Sequence, residues 1–129
     1  MAAVLRFRTA RFDVTRERPN PVNPIHGESL LLWLRERLAP THPMPAPEPE
    51  DWGWYTDLAL EGRAYLIGAS TEGPEEDGLC AWVLQVEKRR SAMEKLTGRA
   101  RMDAADPCLR HLHALLAAEA DITGLETEA

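Results

Sequence analysis

Apolar and polar side chains alternate through the middle of the chain, from Glu50 to Ala69. Because successive side chains on a β-strand point to opposite faces, an apolar residue at every second position predicts a strand with one buried face. A turn at Glu61-Gly62 divides this segment and predicts a β-hairpin. Since Trp52 and Trp54 share one face of the first strand, we expect both indole rings to lie in the interior. The alternating positions of that strand are Trp52, Trp54, Thr56, Leu58 and Leu60.

Three other segments also have strand patterns. In residues 3–15 the apolar positions change from odd at Leu5 to even at Phe12, which predicts a bulge or a turn into a second short strand near Ala10. Residues 79–87 alternate in the same manner as the hairpin, and residues 122–127 predict a short edge strand. The apolar face of the 79–87 strand consists of Cys80, Trp82, Leu84 and Val86.

Helical spacing appears on both sides of these strands. Residues 27–38 carry leucines three and four positions apart, which is the spacing of one buried helical stripe. A short helix follows Lys88 and is expected to end at Gly98, because glycine readily adopts the left-handed conformation that ends helices. Asp106-Pro107 predicts the start of a last helix, with aspartate as N-cap and proline at the first helical position.

The order of these elements favours an α+β fold. We predict an antiparallel sheet of about four to five strands that is packed on one face by two main helices, because runs of strands are followed by helices. A length of 129 residues suits a single domain spanning residues 1–129. Within it, residues 39–49 contain five prolines and are expected to form an extended strap on the surface.

The net charge of −6 is unevenly distributed along the chain. Nucleic-acid-binding proteins usually present a basic face, whereas acidic blocks dominate here. We therefore expect no nucleic-acid partner, and a dipolar surface that attracts a charged protein partner. The blocks are residues 1–40 with +3, residues 41–87 with −9, residues 88–102 with +5 and residues 103–129 with −5.

The chain lacks the apolar stretches that would direct it to a membrane. No run approaches the ~20 residues of a spanning helix, and the N-terminal residues do not resemble a signal peptide. We therefore expect a cytoplasmic protein without a membrane partner, in which Cys80 and Cys108 are reduced thiols. Thirteen arginines against two lysines, together with abundant alanine and proline, suggest a bacterial source.

No residue pattern identifies catalysis, a cofactor or a metal. His111 and His113 point about 200° apart on a helix, so they cannot share a metal ion. Neither a glycine-rich phosphate loop nor a nucleophile elbow is present, and we predict no catalytic, cofactor-binding or metal-binding residues. The alternative is a small enzyme or ligand-binding protein, with a pocket between the sheet and helix 27–38 and with His26, Asp51 or Tyr55 at its mouth.

Four segments together resemble small uncharacterised bacterial α+β proteins, some of which are similar to the immunity proteins of toxin systems. The resemblance covers residues 48–127 and implies an interaction protein, with no catalytic positions to carry over. The segments that carry it are Glu50-Asp-Trp-Gly-Trp54, Tyr65-Leu-Ile-Gly-Ala69, Trp82 to Glu87, and Asp106-Pro107.

We therefore predict a non-enzymatic protein-binding or adaptor protein, with immunity function as one form of it. Because charge is segregated along the chain, we place the partner-binding surface on its acidic and basic clusters. A homodimer formed through a sheet edge is a further possibility. The partner-binding residues of this prediction are Glu72, Glu75, Glu76, Asp77, Lys88, Arg89 and Arg90. Arg99 and Arg101 extend the basic cluster, which could also bind an anion.

Overall fold

The alternating segments pair into one antiparallel sheet. The computed structural model describes residues 2–39 and 41–129, so Met1 and Pro40, which belong to the predicted domain and the predicted strap, lie outside the described residues. Within the described residues the strands are β1 Ala3–Thr9, β2 Glu48–Glu50, β3 Gly53–Leu60, β4 Arg63–Ser70, β5 Cys80–Lys88 and β6 Thr123–Glu128. The helices are α1 Glu28–Leu38, α2 Ala92–Thr97 and α3 Pro107–Ala117, with a 3₁₀ turn at Val14–Arg16. The strand order across the sheet is β2-β3-β4-β5-β1-β6.

The α+β class is confirmed, but the described sheet has six strands rather than four to five. The strand that sequence analysis missed is β2, which takes Glu48 and Pro49 from the predicted strap. Pro49 lies opposite Trp54 at the edge of the sheet. Proline is tolerated there because an edge strand leaves part of its backbone unpaired, so a missing N–H breaks no ladder bond.

One face of the sheet and helices α1 and α3 enclose the core. Strands β1, β3, β4 and β5 contribute alternate side chains, and helices α1 and α3 contribute leucines at three- and four-residue spacing. The largest fully buried side chains include Trp54, Trp82, Tyr65, Leu5, Leu30, Leu31, Leu34, Ile67, Leu84 and Leu109. The opposite face, which we call the open face, carries half-buried or exposed side chains, among them Val4, Tyr55, Asp57, Leu66, Val83 and Gln85.

The chain turns after Thr9, where the change of parity predicts a bulge or turn. The next element is a 3₁₀ turn rather than a second strand, because the Asp13 side chain accepts hydrogen bonds from the backbone and hydroxyl of Thr15. This turn returns Phe12 to the core, where its ring meets that of Trp82 edge to face with centroids 5.6 Å apart.

The helix boundaries agree with the predicted signals. The Asp106 side chain accepts from the backbone N–H groups of Cys108 and Leu109 at the start of α3. Gly98 ends α2 with a φ of 72°, in the left-handed region that favours glycine. None of the helices in the described part of the chain combines the length and the apolar character needed to cross a bilayer.

The prediction that both hairpin tryptophans are interior is wrong for Trp52. The Trp54 side chain is in the core, but Trp52 lies in the turn between β2 and β3 and is half-buried. Gly53 has a φ of +148°, a backbone conformation that residues other than glycine rarely adopt. This conformation interrupts the alternation of side chains between Trp52 and Trp54. The Trp52 ring therefore lies on the open face, against Gly68.

Candidate functional site

The residues predicted to bind a partner lie in several separate places. The acidic loop is residues 71–78, between β4 and β5. Arg8 Nη2 lies 2.9 Å from carboxylate oxygens of both Glu75 and Asp77. Glu72 and Glu76 are exposed and are in no ion pair of the described residues. Because Arg8 projects from β1 on the open face, these ion pairs hold the acidic loop at the border of that face. Arg8 of β1 therefore neutralises part of the negative charge of the acidic loop.

The three consecutive basic residues have three different surroundings. Lys88 Nζ lies 2.7 Å from the buried carboxylate of Asp106, and only 13% of its side chain is exposed. Arg89 Nη2 lies 2.8 Å from Asp57 Oδ1 on the open face. Arg90 lines a cavity at the end of the sheet. These residues do not form one basic surface.

Asp106 joins Lys88 to the core. Besides capping α3, its Oδ2 accepts a hydrogen bond of 3.0 Å from the Tyr65 hydroxyl. Burial alone would raise the pKa of Asp106, but hydrogen bonds from Lys88, from the Leu109 amide and from Tyr65 lower the pKa below its usual value. Burial also raises the pKa of Tyr65. The arrangement is a filled polar network that ties α3 to the sheet.

A groove on the open face is a candidate binding site. It has a volume of about 420 Å³ and opens to solvent across β3, β4 and β5. Trp52, Tyr55 and Leu66 form its apolar part, and polar or charged side chains surround them. The residues that line it are Glu50, Trp52, Tyr55, Leu66, Gln85, Glu87 and Arg89.

The position of the Trp52 ring depends on Gly68. A Cβ atom at position 68 would stand 2.5 Å from the ring carbon Cη2. The absence of a side chain in the middle of β4 therefore creates the space that the indole occupies, which is a recognised use of glycine inside a strand. Sequence reasoning missed this contact, although an isolated glycine within a strand pattern is a signal of close approach.

The groove has a negative electrostatic environment. The Tyr55 hydroxyl donates a 2.8 Å hydrogen bond to Glu48, and this bond, followed by the nearby charges of Glu48, Glu50 and Asp57, raises the pKa of Tyr55. The Arg89 guanidinium is held by Asp57, while the described residues include no cation that pairs with Glu50 or Glu87. A positively charged group would therefore be stabilised in the groove.

The three residues of the alternative pocket are not gathered at one place. Tyr55 lines the groove on the open face, and Asp51 is exposed in the turn that precedes β3. The His26 backbone pairs with Thr71 through hydrogen bonds of 3.1 and 3.0 Å. Between α1 and the sheet, the space is filled by buried leucines and Trp54.

Neither cysteine lies in surroundings that activate a thiol. Cys80 and Cys108 are buried and unbonded to each other, and burial raises the pKa of both thiols, that of Cys108 to about 12. A nucleophilic cysteine needs the opposite shift, toward the thiolate. Within residues 2–39 and 41–129, no group of three or more His, Cys, Asp and Glu side chains could hold a metal ion.

We expect Gly68→Ala to displace the Trp52 ring. The added methyl group would overlap the ring. The ring should move away, because it is the end of a side chain on a turn and can shift more easily than the backbone of β4. The indole ¹H–¹⁵N signal of Trp52 should shift strongly, while the free energy of unfolding falls by only about 1–3 kcal/mol. Ala64→Ser, at an exposed position of the same strand, is the control and should leave that signal in place. An unchanged Trp52 signal in the Gly68→Ala protein would contradict the contact.

The chain was compared with models of protein families, with curated proteins and with solved structures, and no match was found in any of the three. The resemblance to immunity proteins therefore stays a prediction, and function has to be argued from the geometry of the groove.

Proposed function

We propose that the protein is a non-enzymatic binding protein, which takes a basic segment of a protein partner onto the open face of its sheet. The observation that carries this proposal is the groove beside Trp52, where aromatic rings and a leucine are bordered by the carboxylates of Glu50 and Glu87. In the described chain these two carboxylates have no cationic partner.

The groove has the chemistry that holds a guanidinium or ammonium group. Cations are attracted to the faces of tryptophan and tyrosine rings, by about 0.5–1 kcal/mol at exposed sites. The carboxylates of Glu50 and Glu87 add an attraction that an uncharged ligand would not experience. An arginine side chain suits the site best, because its flat guanidinium stacks on aromatic rings and also donates to carboxylates.

The rest of the open face extends this surface. Six strands spaced about 4.8 Å apart make a sheet about 24 Å across, a width comparable to ordinary protein interfaces. The acidic loop borders the same face through the pairing of Arg8 with Glu75 and Asp77. Its remaining carboxylates, on Glu72 and Glu76, supply a second negative region for a basic partner.

The proposal is tested with a defined peptide. An eight-residue peptide of alternating arginine and alanine is titrated into the protein by calorimetry, beside a peptide with citrulline, which is uncharged, in place of arginine. We expect saturable binding of the arginine peptide alone. Glu50→Gln combined with Glu87→Gln should weaken that binding about tenfold, because two attractive charges are lost.

Two control proteins locate the effect. Glu36→Gln removes an exposed carboxylate on α1, away from the open face, and should leave the affinity unchanged. Glu72→Gln with Glu76→Gln tests the acidic loop, and a smaller loss is expected there. Equal binding of the citrulline peptide, or equal losses in the groove variant and the Glu36→Gln control, would contradict the proposal.

Immunity and adaptor proteins both act by binding, so the proposal covers both. The resemblance over residues 48–127 supports the immunity form, since a basic toxin is a partner of the expected charge. A toxin or secretion gene beside the gene for this chain would favour that form, whereas a biosynthetic operon would favour an enzyme.

A further inference from the structure

A second cavity lies at the end of the sheet where β1 begins and β5 and β6 end. Its volume is about 680 Å³, within the range of about 300–1,000 Å³ that is usual for small-molecule pockets. Val4 and Met102 contribute apolar surface, and Arg90 and Arg101 contribute two guanidinium groups. Arg90 lies just beyond the end of β5, while Arg101 belongs to the segment between α2 and α3.

The Arg90 guanidinium has an unsatisfied donor. Its Nε atom is buried and has no hydrogen-bond partner in the described chain. A buried donor without an acceptor destabilises the folded protein, more so when the group is charged, and native proteins satisfy nearly all such groups. Because this atom is closed to solvent, a bound molecule would reach the guanidinium through its terminal nitrogens, and Arg90 is in no ion pair of the described residues.

Arg101 brings a second free donor group to the same cavity. The ion pairs of the described residues include neither Arg90 nor Arg101. The Arg101 guanidinium lies against Gly98, where a Cβ atom would stand 3.1 Å from Nη2, so the glycine that ends α2 also leaves room for this side chain.

We propose that this cavity binds a small organic carboxylate, whose anionic group lies between Arg90 and Arg101 and whose apolar body contacts Val4 and Met102. Arginine is suited to planar carboxylates because its donors form a fork that matches their two oxygens. The one acidic side chain of the wall, Glu128, is paired with Arg6 at 2.6 Å. The two free guanidinium groups therefore keep the cavity attractive to an anion. This site is independent of the groove beside Trp52.

Nuclear magnetic resonance of the arginine Nε–H groups tests the proposal, because each signal reports on its own guanidinium group. Sodium hexanoate is titrated into the ¹⁵N-labelled full chain, with sodium chloride, inorganic phosphate and the neutral 1-hexanol as comparison solutes at matched concentration. The Arg90 Nε–H signal, assigned by Arg90→Lys, should shift saturably with hexanoate alone. Arg101→Gln should weaken hexanoate binding about tenfold or more, because a charge-assisted hydrogen bond is lost.

Arg99→Gln is the matched control, since Arg99 is exposed in the same segment and does not line the cavity. It should leave hexanoate binding unchanged, as should the groove variant Glu50→Gln with Glu87→Gln. No saturable shift, or an equal loss in the Arg99→Gln and Arg101→Gln proteins, would overturn the site. Binding of inorganic phosphate as tight as that of hexanoate would overturn the assignment of an organic carboxylate.

Discussion

Replacing Asp106 by Asn is expected to lower the free energy of unfolding by about 3–5 kcal/mol, because it leaves the ammonium of Lys88 buried without its counter-charge. Lys88 Nζ lies 2.7 Å from Asp106 Oδ2, and the Asp106 side chain is wholly inaccessible to solvent. Asparagine retains an oxygen that can cap α3. Its NH2 group takes the place of Oδ2, so the ion pair is lost, while the Tyr65 hydroxyl can turn to accept from that NH2 group. Urea denaturation of the variant and the parent measures the difference.

A double variant separates the charge from the loss of packing. Adding Lys88→Met to Asp106→Asn removes the unpaired ammonium while keeping most of the side-chain volume. Replacing a buried ion pair by apolar groups is often neutral, so at least about 2 kcal/mol of the loss should return. A double variant as unstable as Asp106→Asn alone would show that Lys88 is not the cause.

The ion pair of Asp106 with Lys88 also makes the stability of the protein fall at acidic pH. The folded-state pKa of Asp106 is lowered, so its stabilisation is present above the ordinary aspartate pKa of about 4 and is lost as pH falls through the folded value. Other carboxylates contribute too, such as Glu94, whose pKa the hydrogen bond from Arg63 lowers to about 2. The effect of this pair is therefore measured as the difference in the free energy of unfolding between the parent and the double variant. Below pH 4 the parent should lose stability more steeply than the double variant.

Glu17→Ala is expected to cost about 3 kcal/mol, because it removes the acceptor from two backbone N–H groups at the start of α1. Gly27, the N-cap residue, has no side chain to cap the helix. Glu17 performs this role from ten positions earlier, accepting from Gly27 N and Ser29 N, each at 2.9 Å. Only 2% of its side chain is exposed, so water cannot replace these bonds.

Ser29→Ala is the matched control for Glu17. The Ser29 hydroxyl also donates to Glu17, so removing it breaks one bond and leaves both backbone contacts in place. A loss of about 1 kcal/mol is expected, as for a typical hydrogen bond. Thermal and urea unfolding should rank the proteins as parent, Ser29→Ala, Glu17→Ala. Equal stability of the two variants would show that Glu17 does not cap α1.

Local patterns predicted those elements whose cause is local. Three patterns depend only on residues a few positions apart in sequence: the alternation in β3 and β5, the leucine spacing in α1, and the Asp106-Pro107 start of α3. The strand β2 escaped prediction because its proline argues against a strand, and only its position at the sheet edge makes Pro49 acceptable. Trp52 was misplaced because the alternation of residue types continues through Gly53, where the backbone changes direction.

The site residues show the same division. The run Lys88-Arg89-Arg90 is a basic cluster in sequence, but the alternation of β5 sends Lys88 toward the core and Arg89 to the open face. Arg90 lines the same cavity as Arg101, eleven positions along the chain, at the end of the sheet. Sequence analysis named these basic residues, but it could not say which would be neutralised by a carboxylate from another element.

By itself the sequence determined the α+β class, the antiparallel hairpin, the two main helices, the end of α2 at Gly98 and the Asp106 cap of α3, because hydrophobic period and capping depend on neighbouring residues. Tertiary structure alone decided that Glu17 caps α1, that Asp106 neutralises Lys88 and that Gly68 admits the Trp52 ring. Each of these contacts joins residues ten or more positions apart in sequence, so it forms only when the fold brings the two partners together.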